Sequence, residues 1–158
     1  MSDHLYKATI SWRRPVDVAD FAKGRYSRGH TWRFDGGVEV NASASPFIVP
    51  KAYAPADAVD PEEAFVASLS SCHLLTFLDI ARRAGFLVES YEDEAEGVME
   101  KNAAGRMWIS RVTLRPRIVF SDKQPTAEEL DRLHHEAHDI CFIANSVATE
   151  VRVEAATA

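Results

Sequence analysis

The chain has 158 residues, 46% of them apolar and 27% charged, with a formal net charge of −6. That size and make-up suit one globular domain able to bury a core, and the acidic balance excludes the clustered basic surface of a nucleic-acid reader. The first seven residues lack the apolar run of a secretory signal, and no window approaches the roughly 18 apolar residues of a membrane span, so a cytoplasmic protein with no membrane partner is expected.

In chain order, residues 5–14 alternate, with Tyr6, Ala8, Ile10 and Trp12 on one side and Lys7, Thr9, Ser11 and Arg13 on the other. That is the period of a half-buried strand. Asp35-Gly36-Gly37 stands between two β-prone runs and signals a hairpin, because its turn needs positive φ. Residues 5–42 are thus predicted to form a three-stranded antiparallel meander, with Arg25, Arg28, Arg33 and His30 on a solvated face. The stretch 43–61 holds Pro46, Pro50, Pro55 and Pro61 and reads as a long loop. Its apolar residues, Phe47, Ile48, Val49, Tyr53 and Val59, should pack it against the body.

Asp60-Pro61-Glu62-Glu63 then opens a helix, with Asp as N-cap, Pro in the first turn and carboxylates at the positive end of the macrodipole. The helix spans 62–84 and stops at Gly85. Phe65, Leu69, Cys72 and Phe77 fall near one stripe, yet the helix is apolar almost all round and should be buried on most sides. Two β-like runs within 86–120, joined across Lys101–Gly105, predict a β-hairpin, and Glu92, Asp93, Glu94 and Glu96 a solvated sheet face. Thr126 and Glu129 form a capping box at the start of a second helix over 126–141, with Leu130, Leu133, Ala137 and Ile140 turned to the core. A last strand covers 149–155.

The two cysteines decide the chemistry. Cys72 lies on the apolar helix and Cys141 at the end of the second one. In a reducing compartment they are either small buried hydrophobes or a redox or nucleophilic pair. An arginine from the N-terminal strands against the Cys72 sulfur would favour the thiolate, the attacking form. His134 or His135, His138 and Cys141 share one helical face and offer imidazole and thiolate to zinc, but a second ligand pair is missing, so no metal or other cofactor is expected. Adjacent Cys72 and His73 point about 100° apart on a helix, which disfavours a Cys-His hydrolase.

Asp60-Pro61-Glu62-Glu63-Ala64-Phe65, with Cys72 ten residues after Glu62, and His138-Asp139-Ile140-Cys141-Phe142-Ile143-Ala144-Asn145-Ser146 resemble the two cysteine motifs of the OsmC/Ohr family, the osmotically inducible and organic hydroperoxide resistance proteins. The resemblance covers nearly the whole chain. It implies an α+β fold of antiparallel sheets wrapped around two central helices, in an intertwined homodimer. It also implies a thiol peroxidase acting on organic hydroperoxides: Cys72 attacks the O–O bond, Cys141 resolves the sulfenate to a disulfide, and an external dithiol of lipoyl or thioredoxin type reduces it. The family holds its thiolate with an Arg–Glu pair, for which Glu62 matches by motif and Arg28 is the better of two candidates, Arg25 being the other. The chain departs from the family pattern at Phe142, at Ser70-Ser71 and at His73, which leaves the peroxide and the reductant open.

Ten helical residues put Glu62 roughly 15 Å along the axis from Cys72. One arginine cannot touch both on a straight helix, so Glu62 and the arginine are expected to reach Cys72 across the dimer interface. The alternatives are a small-molecule or lipid carrier with an apolar groove and no catalysis, and the His/Cys zinc site.

Overall fold

The computed structural model describes residues 4–155, so the outermost residues of the expected 1–158 domain, 1–3 and 156–158, lie outside the described residues. The chain divides into two compact units, one up to Ala64 and one from Phe65 onward.

The first unit is the expected meander. Strands β1 (Ala8–Ser11), β2 (His30–Phe34) and β3 (Glu39–Ala42) pair antiparallel in the order β1-β2-β3. The β2–β3 turn closes through Gly37, whose φ of +85° would strain any side chain. A short helix α1 (Val18–Ala22), which the sequence pattern does not reveal, follows β1; the Asp17 side chain accepts from Asp20 N–H at its start. The loop after β3 has a single 3₁₀ turn over Lys51–Tyr53 and is tied back by an Ala42–Val59 bridge. The expectation that its apolar residues pack down is corrected at its tip, because Phe47 is 96% exposed and Ile48 61%.

Helix α2 (Pro61–Arg83) starts as expected. Asp60 Oδ1 accepts from Glu63 N–H at 2.8 Å, and Glu63 Oε2 returns the bond to Asp60 N–H, so a second capping box stands here. By length and composition alone α2 could cross a membrane, which corrects the expectation that no segment approaches that threshold. Its buried residues are Leu69, His73, Phe77, Ile80 and Ala81, which fall on one stripe. Leu75 and Leu78 stay exposed, so the expectation of burial on most sides is not met within one chain.

The second unit sets α2 and α3 (Ala127–Ile140) against the later strands. The expected hairpin is split. Strands β4 (Val88–Asp93) and β7 (Pro116–Phe120) form one antiparallel pair, and β5 (Glu96–Lys101) and β6 (Met107–Leu114) another. The break has a local cause, since Pro116 has no N–H for a ladder and Asp93 Oδ1 takes the Arg115 N–H at 2.6 Å. Asp93 also accepts from Ser70 Oγ, so it is no part of a solvated face, whereas Glu92 and Glu94 pair with Arg117, and Glu96 with Arg115, at the surface. The last strand, β8 (Glu150–Val153), joins β6 in parallel, a departure from an all-antiparallel arrangement.

The unit has two apolar clusters. Phe77, Ile80, Ala81, Phe86, Phe120, Leu133 and Ala137 make one, and Leu69, Val112 and Leu114 the other. Gly97 on β5 is required by the packing, because a Cβ there would lie 2.7 Å from the Val66 side chain on α2. On α3 the Thr126–Glu129 capping box is present. Leu133 and Ala137 are buried as expected, but Ile140 is 47% exposed and His134 takes a core position instead.

Candidate functional site

Cys72 stands in the middle of α2, and Cys141 is the C-cap of α3, where its N–H reaches back to the His138 carbonyl. Both are free thiols; Cys72 is half-buried and Cys141 is 1% exposed. The two side chains lie close enough within the second unit to influence each other's ionisation. Burial, followed by the nearness of Cys72, pushes the Cys141 thiol up to about 11, although the backbone N–H groups of Ala144 and Ile143 pull it the other way. Cys141 is therefore a protonated thiol at neutral pH.

The turn after Cys141 is held from its own side chains. Asn145 Nδ2 donates to the carbonyls of Asp139 at 2.8 Å and Cys141 at 3.1 Å, and its backbone N–H also goes to Cys141. Phe142, the residue after the cysteine, is 81% exposed. Thr76 Oγ1 donates to the Cys72 carbonyl at 2.8 Å, fixing the turn of α2 that carries the sulfur.

Glu62 lies in the first turn of α2, on the same unbroken helix as Cys72 and ten residues before it. Arg28, in the first unit, donates from Nη1 to the carbonyls of Gly24 at 2.9 Å and Tyr26 at 2.6 Å, and its guanidinium lies 3.8 Å from the centre of the Tyr26 ring. Among the described residues it makes no ion pair with Glu62. Arg25 is exposed, with its backbone N–H bonded to the Asp20 carbonyl. The neighbouring His30 accepts from Trp32 Nε1 at 2.9 Å through Nε2 and faces the Arg28 carbonyl with Nδ1, so Nδ1 carries its proton.

A buried histidine pair was not foreseen. His73 Nε2 lies 3.0 Å from His134 Nδ1, the two rings stack on each other, and His134 also stacks on Phe77. Burial lowers both pKa values to about 4; for His73 the proximity of His138 adds to this and Asp93 opposes it, and for His134 the partner His73 adds to it. The signal lay in the spacing, since His73 continues the stripe Leu69, Phe77, Ile80 and His134 the stripe Leu130, Leu133, Ala137. Among the described residues no group of three or more His, Cys, Asp or Glu side chains stands where it could hold a metal ion. Beside α3 and β8 lies a cleft of about 450 Å³ whose walls mix His134, His135, His138 and Asp131 with Leu130, Val151 and Val153.

The comparisons with known proteins agree with this frame. Residues 54–156 match the family described as OsmC-like protein. An OsmC-like protein of unknown function from Vibrio cholerae is 50% identical, with a TM-score of 0.92 over 99% of this chain and 100% of that one. Two organic hydroperoxide resistance proteins share the fold at 19% identity. The one from Elizabethkingia anophelis has a TM-score of 0.73 over 99% of each chain, and the one from Bacillus subtilis 0.70 over 97% of this chain and 98% of that one. No curated protein matches the chain. Because the family pattern spans both cysteine-bearing helices and a half-identical relative superposes end to end, the chain belongs to the OsmC-like protein family.

Proposed function

We propose that the protein is a cysteine-based peroxidase of the cytoplasm that reduces organic hydroperoxides in oxidative-stress defence. The observation that carries this reading is that the half-buried Cys72 thiol lies near enough to the buried Cys141 thiol, at the end of a different helix, to raise its pKa. Membership of a family that includes organic hydroperoxide resistance proteins supports the substrate class.

In the proposed cycle the Cys72 thiolate attacks one peroxide oxygen and the O–O bond breaks. Sulfur gains the hydroxyl as a sulfenic acid, and the alkoxide takes a proton and leaves as the alcohol. Cys141, held as a thiol, then forms the S–S bond while the sulfenic S–O bond breaks and water departs. An external dithiol of lipoyl or thioredoxin type returns two electrons and two protons. Cys72 is assigned the attacking role because peroxide can reach it, and Cys141 the resolving role because its burial keeps it protonated until the sulfenate appears.

Arg28 and Glu62 are assigned as the pair that holds the thiolate. Since Glu62 and Cys72 lie far apart on one helix and Arg28 is engaged with backbone carbonyls here, the reading places this pair across a homodimer of single OsmC-like domains. The exposed apolar side chains, Leu75 on α2 and Phe47 in the loop among them, supply surface for such a partner.

The deciding experiment is thiol counting with peptide mapping before and after one equivalent of cumene hydroperoxide. A Cys72–Cys141 disulfide and one equivalent of cumyl alcohol are expected, and Cys72→Ser is expected to abolish alcohol formation. Undiminished peroxide reduction by Cys72→Ser would end the proposal.

A further inference from the structure

The most constrained polar contact outside the dithiol joins the two helices that carry it. His73 is 1% exposed and His134 4%, and a single N···N line of 3.0 Å connects them. Two neutral imidazoles hold one proton along that line. Their outer nitrogens, His73 Nδ1 and His134 Nε2, are buried with no partner in the structure. For stability alone, two well-packed apolar side chains would serve at least as well. What a buried directional contact supplies instead is register.

The placement gives that register a use. His73 directly follows Cys72, and His134 precedes Cys141 by seven residues, two turns back on the same face of α3. Away from His138, which lies near His73, these helices meet through an apolar cluster of Phe77, Ile80 and Ala81 on α2 with Leu133 and Ala137 on α3. Such contacts are non-directional and tolerate a small slide. The imidazole bond does not, because a shift of one residue moves a helix about 1.5 Å and turns it about 100°, beyond hydrogen-bonding geometry.

We propose that the His73–His134 pair is a positioning clasp that fixes α2 against α3 in the register at which Cys72 and Cys141 join. The proposal rests on the two-cysteine reading above. The histidines act through helix placement and touch no substrate. Losing the clasp lowers the effective concentration of one thiol at the other, which moves the thiol–disulfide balance toward the dithiol.

The test uses the full chain and a dithiothreitol redox buffer, so that no peroxide is needed. Oxidised dithiothreitol takes two electrons and two protons from Cys72 and Cys141 and becomes the dithiol, and the disulfide fraction is read by thiol counting. A glutamine amide nitrogen falls near the position of a histidine Nε2, and an asparagine amide near that of Nδ1. His73→Gln and His134→Asn therefore keep the bond and are expected to stay within threefold of the wild-type equilibrium. His73→Asn and His134→Gln carry the same chemistry one bond out of place and are expected to shift it at least tenfold toward the dithiol. Equal behaviour of all four variants overturns the clasp. Wild-type protein that forms no Cys72–Cys141 disulfide in the buffer overturns the clasp and the two-cysteine cycle together. A disulfide that forms there in protein that leaves cumene hydroperoxide unreduced overturns the peroxidase reading alone, and the four variants still decide the clasp.

Discussion

From Phe65 onward, Leu69, Phe77, Phe86, Val112, Leu114 and Leu133 are each less than 3% exposed, whereas among the described residues up to Ala64 no large apolar side chain is fully buried. Ile10 is 59% exposed, Trp12 43%, Phe21 38% and Phe47 96%. The second unit owns a core; the first is held by a three-strand ladder and by a cluster of tilted and edge-on rings, with Phe21 and Tyr26 centred 4.7 Å apart and both within 5.8 Å of Trp12. A three-stranded sheet with no buried large side chain is marginal by itself. The contrast teaches that the first unit lacks a core of its own, and the proposed homodimer, if it forms over this sheet, would supply its cover.

The largest expected effect follows from that cover. At micromolar concentration, sedimentation should give twice the chain mass, and amide exchange in β1–β3 should be slowed as strongly as in β5 and β6. Dilution to the monomer should speed exchange in β1–β3 by at least a hundredfold while leaving β5 and β6 protected. A monomer with equal protection in both units would break the comparison.

The next effect is on stability. Phe77 is fully buried at the centre of the larger apolar cluster, so Phe77→Ala should destabilise the protein by about 3–5 kcal/mol. Phe21→Ala removes a partly exposed ring and should cost only about 1–2 kcal/mol. Urea unfolding followed by tryptophan fluorescence and circular dichroism measures both. A loss for Phe21→Ala as large as for Phe77→Ala would place a core in the first unit.

The same contrast explains what could be read from the chain. The meander, the Asp35-Gly36-Gly37 turn, the start of α2 and the capping box of α3 follow from local chemistry and were legible. The family was legible through motif resemblance, because two short segments around Cys72 and Cys141 carry it. The split of the hairpin was missed although its cause is local: Pro116 lies inside the run and cannot donate to a ladder. The parallel β6–β8 pairing was not legible, since alternation specifies faces and says nothing of partners. Phe47 and Ile48 misled for a reason that bears on function, because an apolar residue is ordinarily assigned to its own chain's core. The sequence offers His73 as a departure from the family pattern and His134 as a candidate zinc ligand, and only their places on the two apolar stripes mark them as buried.

That pair gives the smallest and most specific of the expected effects, a stability that depends on pH where most carboxylates are silent. Both imidazoles have pKa values lowered from 6.5 to about 4 by burial, His73 also by its proximity to His138 and against the pull of Asp93. In the unfolded chain they titrate near 6.5, so between about pH 6.5 and 4 the unfolded state binds more protons than the folded one. Stability is then full above pH 6.5 and falls as the pH is lowered through that window. From pH 7 to pH 5 the loss should be about 2–4 kcal/mol for the two groups together. Carboxylates held low by salt bridges, such as Asp79 and Glu150, act in the same direction but further down the scale, which leaves pH 5–6.5 to the histidines. Urea midpoints at pH 7, 6 and 5 measure the slope, and His73→Gln combined with His134→Asn should flatten it while keeping the interhelical bond. A wild-type midpoint that does not move between pH 7 and pH 5 would mean that the two rings meet water in solution, and the second unit would then lack the sealed core that sets it apart from the first.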